Sequence, residues 1–183
     1  NLINNKYKVA FIGINVAVNL DSIRDINILI TGNVAFPGIY TLSGNSNILQ
    51  ALNIAGGINE NGSLRNISLK RSNKIDQSVD LYEALLLGNI ENIPFLFTGD
   101  SIHIGPANNL VRAGYGFNNT AIFELKKNET FDDLIKFAGG LMNESNKEIF
   151  KVVRFENNKF KSYEINTNDS LDFKLSNLDS IYA

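Results

Sequence analysis

Two arginines are the residues of this 183-residue chain that first suggest chemistry. Arg71 and Arg154 lie 83 positions apart, and each ends a short run of strand-forming residues. A guanidinium is a planar fork of donors that fits a carboxylate. That carboxylate can belong to an anionic sugar, to the same chain or to a neighbouring subunit. The residues alone leave these three alternatives open, and pairing within the protein is favoured.

No residue pattern indicates catalysis. His103, the single histidine, lies between two isoleucines, so an alternating strand would turn it towards solvent. The chain has no cysteine, which excludes thiol nucleophiles and cysteine-based metal sites. A predicted hairpin accounts for Asp76 with Asp80. The start of a predicted helix, with Thr130 as its N-cap, accounts for Asp132 with Asp133. We therefore predict no catalytic residue, no metal and no cofactor.

Composition narrows the classes of partner. Hydrophobic residues make up 44% and charged residues 20% of the chain, as in a folded protein. A net charge of −2 argues against nucleic acid and anionic membrane surfaces as partners. No apolar run approaches the roughly 20 residues of a spanning helix. Because the chain begins with Asn1, we expect either a mature segment or an excised piece of a longer protein, with any membrane contact made through segments outside this sequence.

A strand, a turn, a second strand and a short helix must position the first arginine. Gly32 lies in the first strand, and Pro37-Gly38 predicts a type II turn with Gly38 at positive φ. Tyr40 follows on the second strand, where packing in the core is favoured over stacking on a sugar. The helix should end at Ala55-Gly56-Gly57, a left-handed cap.

The same order of motifs returns later in the chain. Ala55-Gly56-Gly57 recurs as Ala138-Gly139-Gly140, at the spacing that also relates Arg71 to Arg154. Gly99-Asp100-Ser101-Ile102 recurs in part as Asp179-Ser180-Ile181, slightly closer, so a late loop is shorter in the second copy. Unlike motifs that share one spacing indicate a duplication.

Each copy is interpreted as a small mixed sheet packed on a short helix, so we predict the α+β class. The boundaries follow from the repeat: residues 1–25 form an N-terminal strand segment, 26–107 the first domain and 108–183 a divergent second domain. The apolar run Phe95-Leu96-Phe97 is interpreted as a buried strand in preference to an exposed subunit interface.

These motifs resemble the SLBB domain, the soluble-ligand-binding β-grasp. The first copy matches well and the second lacks the Pro-Gly pair. The resemblance implies two tandem β-grasp, ubiquitin-like domains. The motif residues it carries over as structural are Gly32, Pro37, Gly38, Ala55, Gly56, Gly57, Gly99, Asp100, Gly114, Ala138, Gly139, Gly140 and Asp179.

Tandem copies of this kind are typical of the Wza-like family of outer-membrane polysaccharide export proteins. The resemblance implies a non-enzymatic periplasmic module that forms homo-oligomers and lines a channel for a capsular or other extracellular polysaccharide. The alternative is a module that binds a soluble saccharide or small ligand without a channel role. For such a ligand, Arg71, Tyr40 and Arg154 are the predicted contacts.

Overall fold

A computed structural model describes residues 24–71, 76–146, 148–167 and 173–183. Most of the predicted N-terminal segment, residues 1–23, lies outside the described residues, and so does the turn of the predicted hairpin, 73–76, apart from Asp76. The described ranges form two sheets in succession, each with five strands.

The first repeat combines one sheet with two short helices. Its elements are β1 (Asp25–Gly32), β2 (Gly38–Ser43), α1 (Ile48–Ile54), β3 (Gly62–Lys70), β4 (Gln77–Val79), α2 (Tyr82–Leu87) and β5 (Ser101–Pro106). The strand order is β2-β1-β5-β3-β4. The central pair, β1 and β5, is parallel, and the other pairs are antiparallel.

The second repeat follows after a short connection. Its elements are β6 (Leu110–Ala113), β7 (Ala121–Glu124), α3 (Phe131–Phe137), β8 (Ile149–Glu156), β9 (Lys159–Asn166) and β10 (Ser180–Tyr182). The order β7-β6-β10-β8-β9 repeats that of the first sheet, again with a parallel central pair. The predicted class, two tandem α+β domains of the β-grasp type, is confirmed.

Alternating burial gives each sheet one face for its core. Ile28 and Ile30 of β1 are buried against Ile48 of α1, whereas the residues between them are exposed or partly exposed. The second core is more aromatic and is built around Phe117, Phe131 and Phe150. Its helix, α3, follows the predicted N-cap Thr130, which forms a capping box with Asp133.

The predicted type II turn is wrong at Gly38. Gly38 opens β2, pairs with Ile30 and has no positive φ, because a residue in an antiparallel ladder is extended. The left-handed residue of this hairpin is Gly32, with φ +86. A Cβ at Gly32 would lie 2.1 Å from the carbonyl oxygen of Ile104, so the neighbouring strand also requires glycine there.

The segment Phe95-Leu96-Phe97 is not the buried strand that was predicted. Leu96 is fully buried, but Phe95 and Phe97 are 61% and 55% exposed. Phe95 makes one isolated β-bridge, to Asn47. The segment contributes only Leu96 to the core, because it pairs with Ser46 and Asn47 at the start of α1 instead of joining the sheet.

Candidate functional site

Arg71 is held by a carboxylate of its own repeat. Its Nε and Nη2 donate to the two carboxylate oxygens of Asp100, at 2.8 and 2.7 Å, and Nη2 also donates to the carbonyl of Phe95. Asp100 has a fully buried side chain and accepts a further bond from the backbone N–H of Phe97. The guanidinium lies 4.3 Å above the ring of Phe97. The hydrogen bonds to Asp100 raise the pKa of Arg71 above its ordinary value.

Arg154 repeats this arrangement in the second sheet. Its Nε and Nη2 both donate to Asp179 at 2.8 Å, and Nη2 donates to the carbonyl of Lys174. Asp179 is fully buried and accepts from the backbone N–H of Ser176. The bonds to Asp179 raise the pKa of Arg154. Each arginine thus anchors the loop before the closing strand, β5 or β10, to the neighbouring antiparallel strand.

Tyr40 is half-buried against the first core, and its hydroxyl donates to the carbonyl of Phe36 at 2.6 Å. The roles of Arg71, Tyr40 and Arg154 in ligand binding remain predictions. In this structure, the polar atoms named for each of them are engaged within the protein.

The motif glycines lie at the ends of helices and in the turns before strands. Gly56 and Gly57 have φ of +80 and +85, and Gly139 and Gly140 have φ of +73 and +96, which confirms the predicted left-handed caps. The preceding residues, Ala55 and Ala138, are fully buried.

Three further motif residues lie where the chain turns or packs tightly. Gly99 precedes β5, with φ +87, and Pro37 is exposed in the β1–β2 loop. Gly114 lies under the ring of Tyr182. The close approach made by Gly32 in the first repeat is made in the second by Gly116, which faces the carbonyl of Ala183.

A buried ionic cluster joins the two repeats. Arg65 of β3 donates from Nη1 and Nη2 to the two carboxylate oxygens of Glu129, at 2.5 and 2.6 Å. Its Nε and Nη2 donate to Asp80 at 3.0 Å, and Nη1 also donates to the carbonyl of Glu124. The Glu124 carboxylate accepts from the hydroxyl of Ser63 at 2.6 Å. We call these five residues the junction cluster.

Arg65 is nearly inaccessible, with 6% of its side chain exposed, yet every N–H of its guanidinium has an acceptor. The guanidinium lies 4.3 Å from the ring centre of Tyr82 and 5.2 Å from that of Phe137. Burial by itself would lower the pKa of Arg65, but the bonds to Glu129 and Asp80 outweigh it and raise the pKa. A bidentate, desolvated pair such as Arg65 with Glu129 fixes the orientation of the two side chains as well as stabilising the contact between the repeats.

Tyr82 belongs to α2 of the first repeat but packs in the core of the second. Its ring meets Phe137 edge to face, with centroids 5.1 Å apart. Its hydroxyl accepts the backbone N–H of Glu124 at 2.7 Å. Burial raises the pKa of Tyr82. One helix of the first repeat therefore completes the packing of the second.

A cavity of about 560 Å³ opens beside the junction cluster. One wall is the edge strand β4 with Glu83 and Asn92, and the other is α3 with Lys126 and Glu129. Its volume falls within the roughly 300–1,000 Å³ of small-molecule sites. A concave polar surface therefore lies between the repeats, away from Arg71 and Arg154.

Sequence reasoning missed this junction, although the repeat contains a signal for it. Positions of the second repeat that face the first are charged or aromatic, whereas their counterparts 83 residues earlier are uncharged. The pairs are Thr41 with Glu124, Ser43 with Lys126, Ser46 with Glu129, Gln50 with Asp133, Asn53 with Lys136 and Ile54 with Phe137. Ile54 is 55% exposed and Phe137 only 8%, because one face is covered and the other open. Comparing the copies position by position would have indicated that this face of the second repeat is covered, but not which residues of the first repeat cover it.

Among the described residues, the remaining titratable groups form no second site. His103 is exposed, as predicted, beside the hydroxyl of Thr31. Asp76 pairs with Lys70 at the surface. Across the described ranges, no three or more His, Asp or Glu side chains converge as metal ligands would. No helix in those ranges is long and apolar enough to cross a bilayer.

The fold and its junction define a tandem β-grasp module. The SLBB domain family model matches residues 28–79 and 116–161, one segment in each repeat. The chain therefore belongs to the SLBB domain family.

Two curated relatives bear the same name, polysialic acid transport protein KpsD from Escherichia coli. Each is 30% identical to this chain over 128 residues, which cover 69% of the chain. The match covers 23% of each relative, so the chain corresponds to about a quarter of their length.

Proposed function

We propose that this chain is a non-enzymatic, periplasmic module of a polysaccharide export protein associated with the outer membrane. It acts by oligomerising with copies of its parent protein and by lining or bracing the path of the polymer. The observation that carries the proposal is the tandem SLBB match together with the similarity to a polysialic acid transport protein. The two units are proposed to span residues 26–107 and 108–183.

The junction supports a scaffold role for the module. A ring subunit that carries two domains needs a fixed angle between them, and flexible linkers do not provide one. Here Arg65, Glu129 and Tyr82 link the repeats through buried charge and aromatic packing. Exposed apolar side chains remain at separate places on the surface, among them Phe36, Ile39 and the neighbouring pair Phe155 and Phe160, whose rings are tilted against each other. These are candidate contacts between subunits.

The test uses the intact parent protein. We expect it to migrate as an oligomer in mild detergent and its deletion to abolish surface polysaccharide. Replacing this segment by its counterpart in KpsD should restore export at least in part. A monomeric parent, together with normal export in the deletion strain, would refute the proposal.

A soluble ligand-binding module is the second candidate, and the cavity between the repeats favours it. Titration of the chain with neutral and acidic oligosaccharides, followed by amide NMR at two protein concentrations, separates the candidates. Shifts around the cavity at constant tumbling time support binding. Line broadening that grows with protein concentration, without a ligand response, supports assembly.

A further inference from the structure

We propose that the cavity between the repeats binds an uncharged, hydroxyl-rich saccharide segment and discriminates against polyanionic ones. The inference rests on the proposed function for the saccharide class of ligand. Its selectivity comes from the side chains that line the cavity.

The charges around the cavity disfavour an anion. Four carboxylates line it: Asp80, Glu83, Glu129 and Asp133. Three cations face them: Arg65, Lys126 and Lys136. Arg65 is fully committed to Glu129, Asp80 and the Glu124 carbonyl, and Lys126 pairs with Asp80 at 2.6 Å. Of the three cations, Lys136 has no ion-pair partner among the described residues. The carboxylate of Glu83 also has none among them, so the one unpaired positive charge is matched by an unpaired negative one.

The free groups are those that bind sugar hydroxyls. Gln77, Asn92, Glu83 and Lys136 line the cavity without a side-chain hydrogen bond to any residue that the structure describes. The amides of Gln77 and Asn92 both donate and accept hydrogen bonds, the carboxylate of Glu83 accepts them, and the ammonium of Lys136 donates them. Together they offer both donors and acceptors, which a polyol can satisfy and a simple anion cannot.

The wall formed by β4 adds backbone groups. This strand (Gln77–Val79) pairs with β3 on one side only and is the edge of the first sheet. Edge strands leave part of their N–H and C=O groups without a partner strand. Together with Asn92 and α3, the edge forms a groove with hydrogen-bonding capacity on both walls.

The duplication makes the site unique within the tandem. At the equivalent face of the first repeat, Asn53 replaces Lys136 and Ile54 replaces Phe137. That face has no repeat over it, since Ile54 is 55% exposed. It therefore supplies an internal control surface with the same backbone and without the cavity.

The experiment follows amide shifts of the chain with a neutral dextran hexasaccharide and with an oligosialic acid of equal length. We expect shifts at Gln77, Asn92 and Lys136 with the neutral sugar and an apparent Kd about tenfold higher for the anionic one. The double variant Gln77→Ala, Asn92→Ala should weaken neutral binding at least about fivefold. Asn53→Ala, on the open face, should leave binding unchanged.

Charge reversal tests the selectivity directly. Glu83→Lys adds a cation at an exposed position and should narrow or reverse the preference against oligosialic acid. Absence of shifts at the cavity with either sugar would overturn the inference, and so would tighter binding of the acidic sugar by the unaltered chain. Either result leaves the export proposal standing, because parent oligomerisation and surface polymer are measured separately.

Discussion

Arg65 in the first repeat and Glu129 in the second form a bidentate ion pair, with nitrogen to oxygen distances of 2.5 and 2.6 Å. The Arg65 side chain is 6% exposed and that of Glu129 14%. Removing one partner from such a pair leaves the other charge without compensation in a desolvated place. The stability of the tandem should therefore depend strongly on Arg65.

The first prediction concerns Arg65→Met. We expect it to lower the free energy of unfolding by about 3–5 kcal/mol, because Asp80 and Glu129 both lose their main partner. Urea unfolding, followed by far-UV circular dichroism, measures the change in the free energy of unfolding. Lys70→Met breaks an exposed pair with Asp76 and serves as the control, with a cost below about 1 kcal/mol. If both variants lost the same free energy of unfolding, the junction cluster would not be a major source of stability.

Tyr82→Phe tests the hydroxyl that receives the Glu124 N–H. Because that N–H would stay buried without a partner, we expect a loss of about 1–3 kcal/mol. Tyr40→Phe removes an exposed bond to Phe36, where water can replace the hydroxyl, and should cost less. Chemical shifts in the core around Phe137 should respond to the first substitution and not to the second.

The repeated arginine clamps predict a matched pair of effects. Arg71→Met and Arg154→Met each leave a fully buried aspartate, Asp100 or Asp179, without its guanidinium. Each should cost about 3–5 kcal/mol, and the corresponding lysine variants less, since lysine keeps the charge but loses the fork. If both residues instead served only to bind ligand, stability would be unchanged while sugar titrations would weaken.

Acid should weaken the junction through Asp80. Burial alone would raise the pKa of Asp80, but hydrogen bonds from Arg65 and Lys126 outweigh it and hold the pKa below the ordinary 3.8. A carboxyl with a lowered folded-state pKa stabilises the protein above its unfolded pKa, and this contribution is lost as the pH falls through the folded value. The free energy of unfolding should therefore decrease as the pH falls below about 4.

Urea titrations between about pH 2 and pH 7 test this dependence. Asp80→Asn should flatten the acid part of the curve and lower stability at neutral pH. Asp76→Asn, at an exposed position, should leave the dependence of the free energy of unfolding on pH nearly unaltered. If the free energy of unfolding of Asp80→Asn fell with pH as steeply as that of the unaltered chain, Asp80 would not be the group responsible.

Two glycines with similar backbone angles should respond differently to alanine. Gly32 and Gly57 have φ of +86 and +85, so alanine strains both by about 1 kcal/mol. At Gly32 the new Cβ would also meet the Ile104 carbonyl oxygen at 2.1 Å, whereas nothing lies within 4 Å at Gly57. Gly32→Ala should therefore lower stability, measured by thermal unfolding, several times more than Gly57→Ala. Similar losses of stability for the two variants would show that the contact with the Ile104 carbonyl is unimportant.

Local chemistry in the sequence determined the elements and the duplication. The helix caps at Gly56 and Gly139 and the N-cap at Thr130 were predictable, because capping acts within a few residues. The repeat then related Arg71 to Arg154, and the family resemblance followed. Strand pairing confirmed this class of fold.

Tertiary structure alone decided where the polar side chains meet. Nothing in the local sequence brings Arg65 to Glu129, which lies 64 residues away, or carries Tyr82 into the core of the other repeat. The predicted glycine turn at Gly38 failed for the same reason, because pairing with Ile30 extends it. Sequence periodicity specifies which face of an element is buried. The residues that cover that face depend on how the two repeats pack against each other. At this junction, that packing creates both the buried cluster and the cavity beside it.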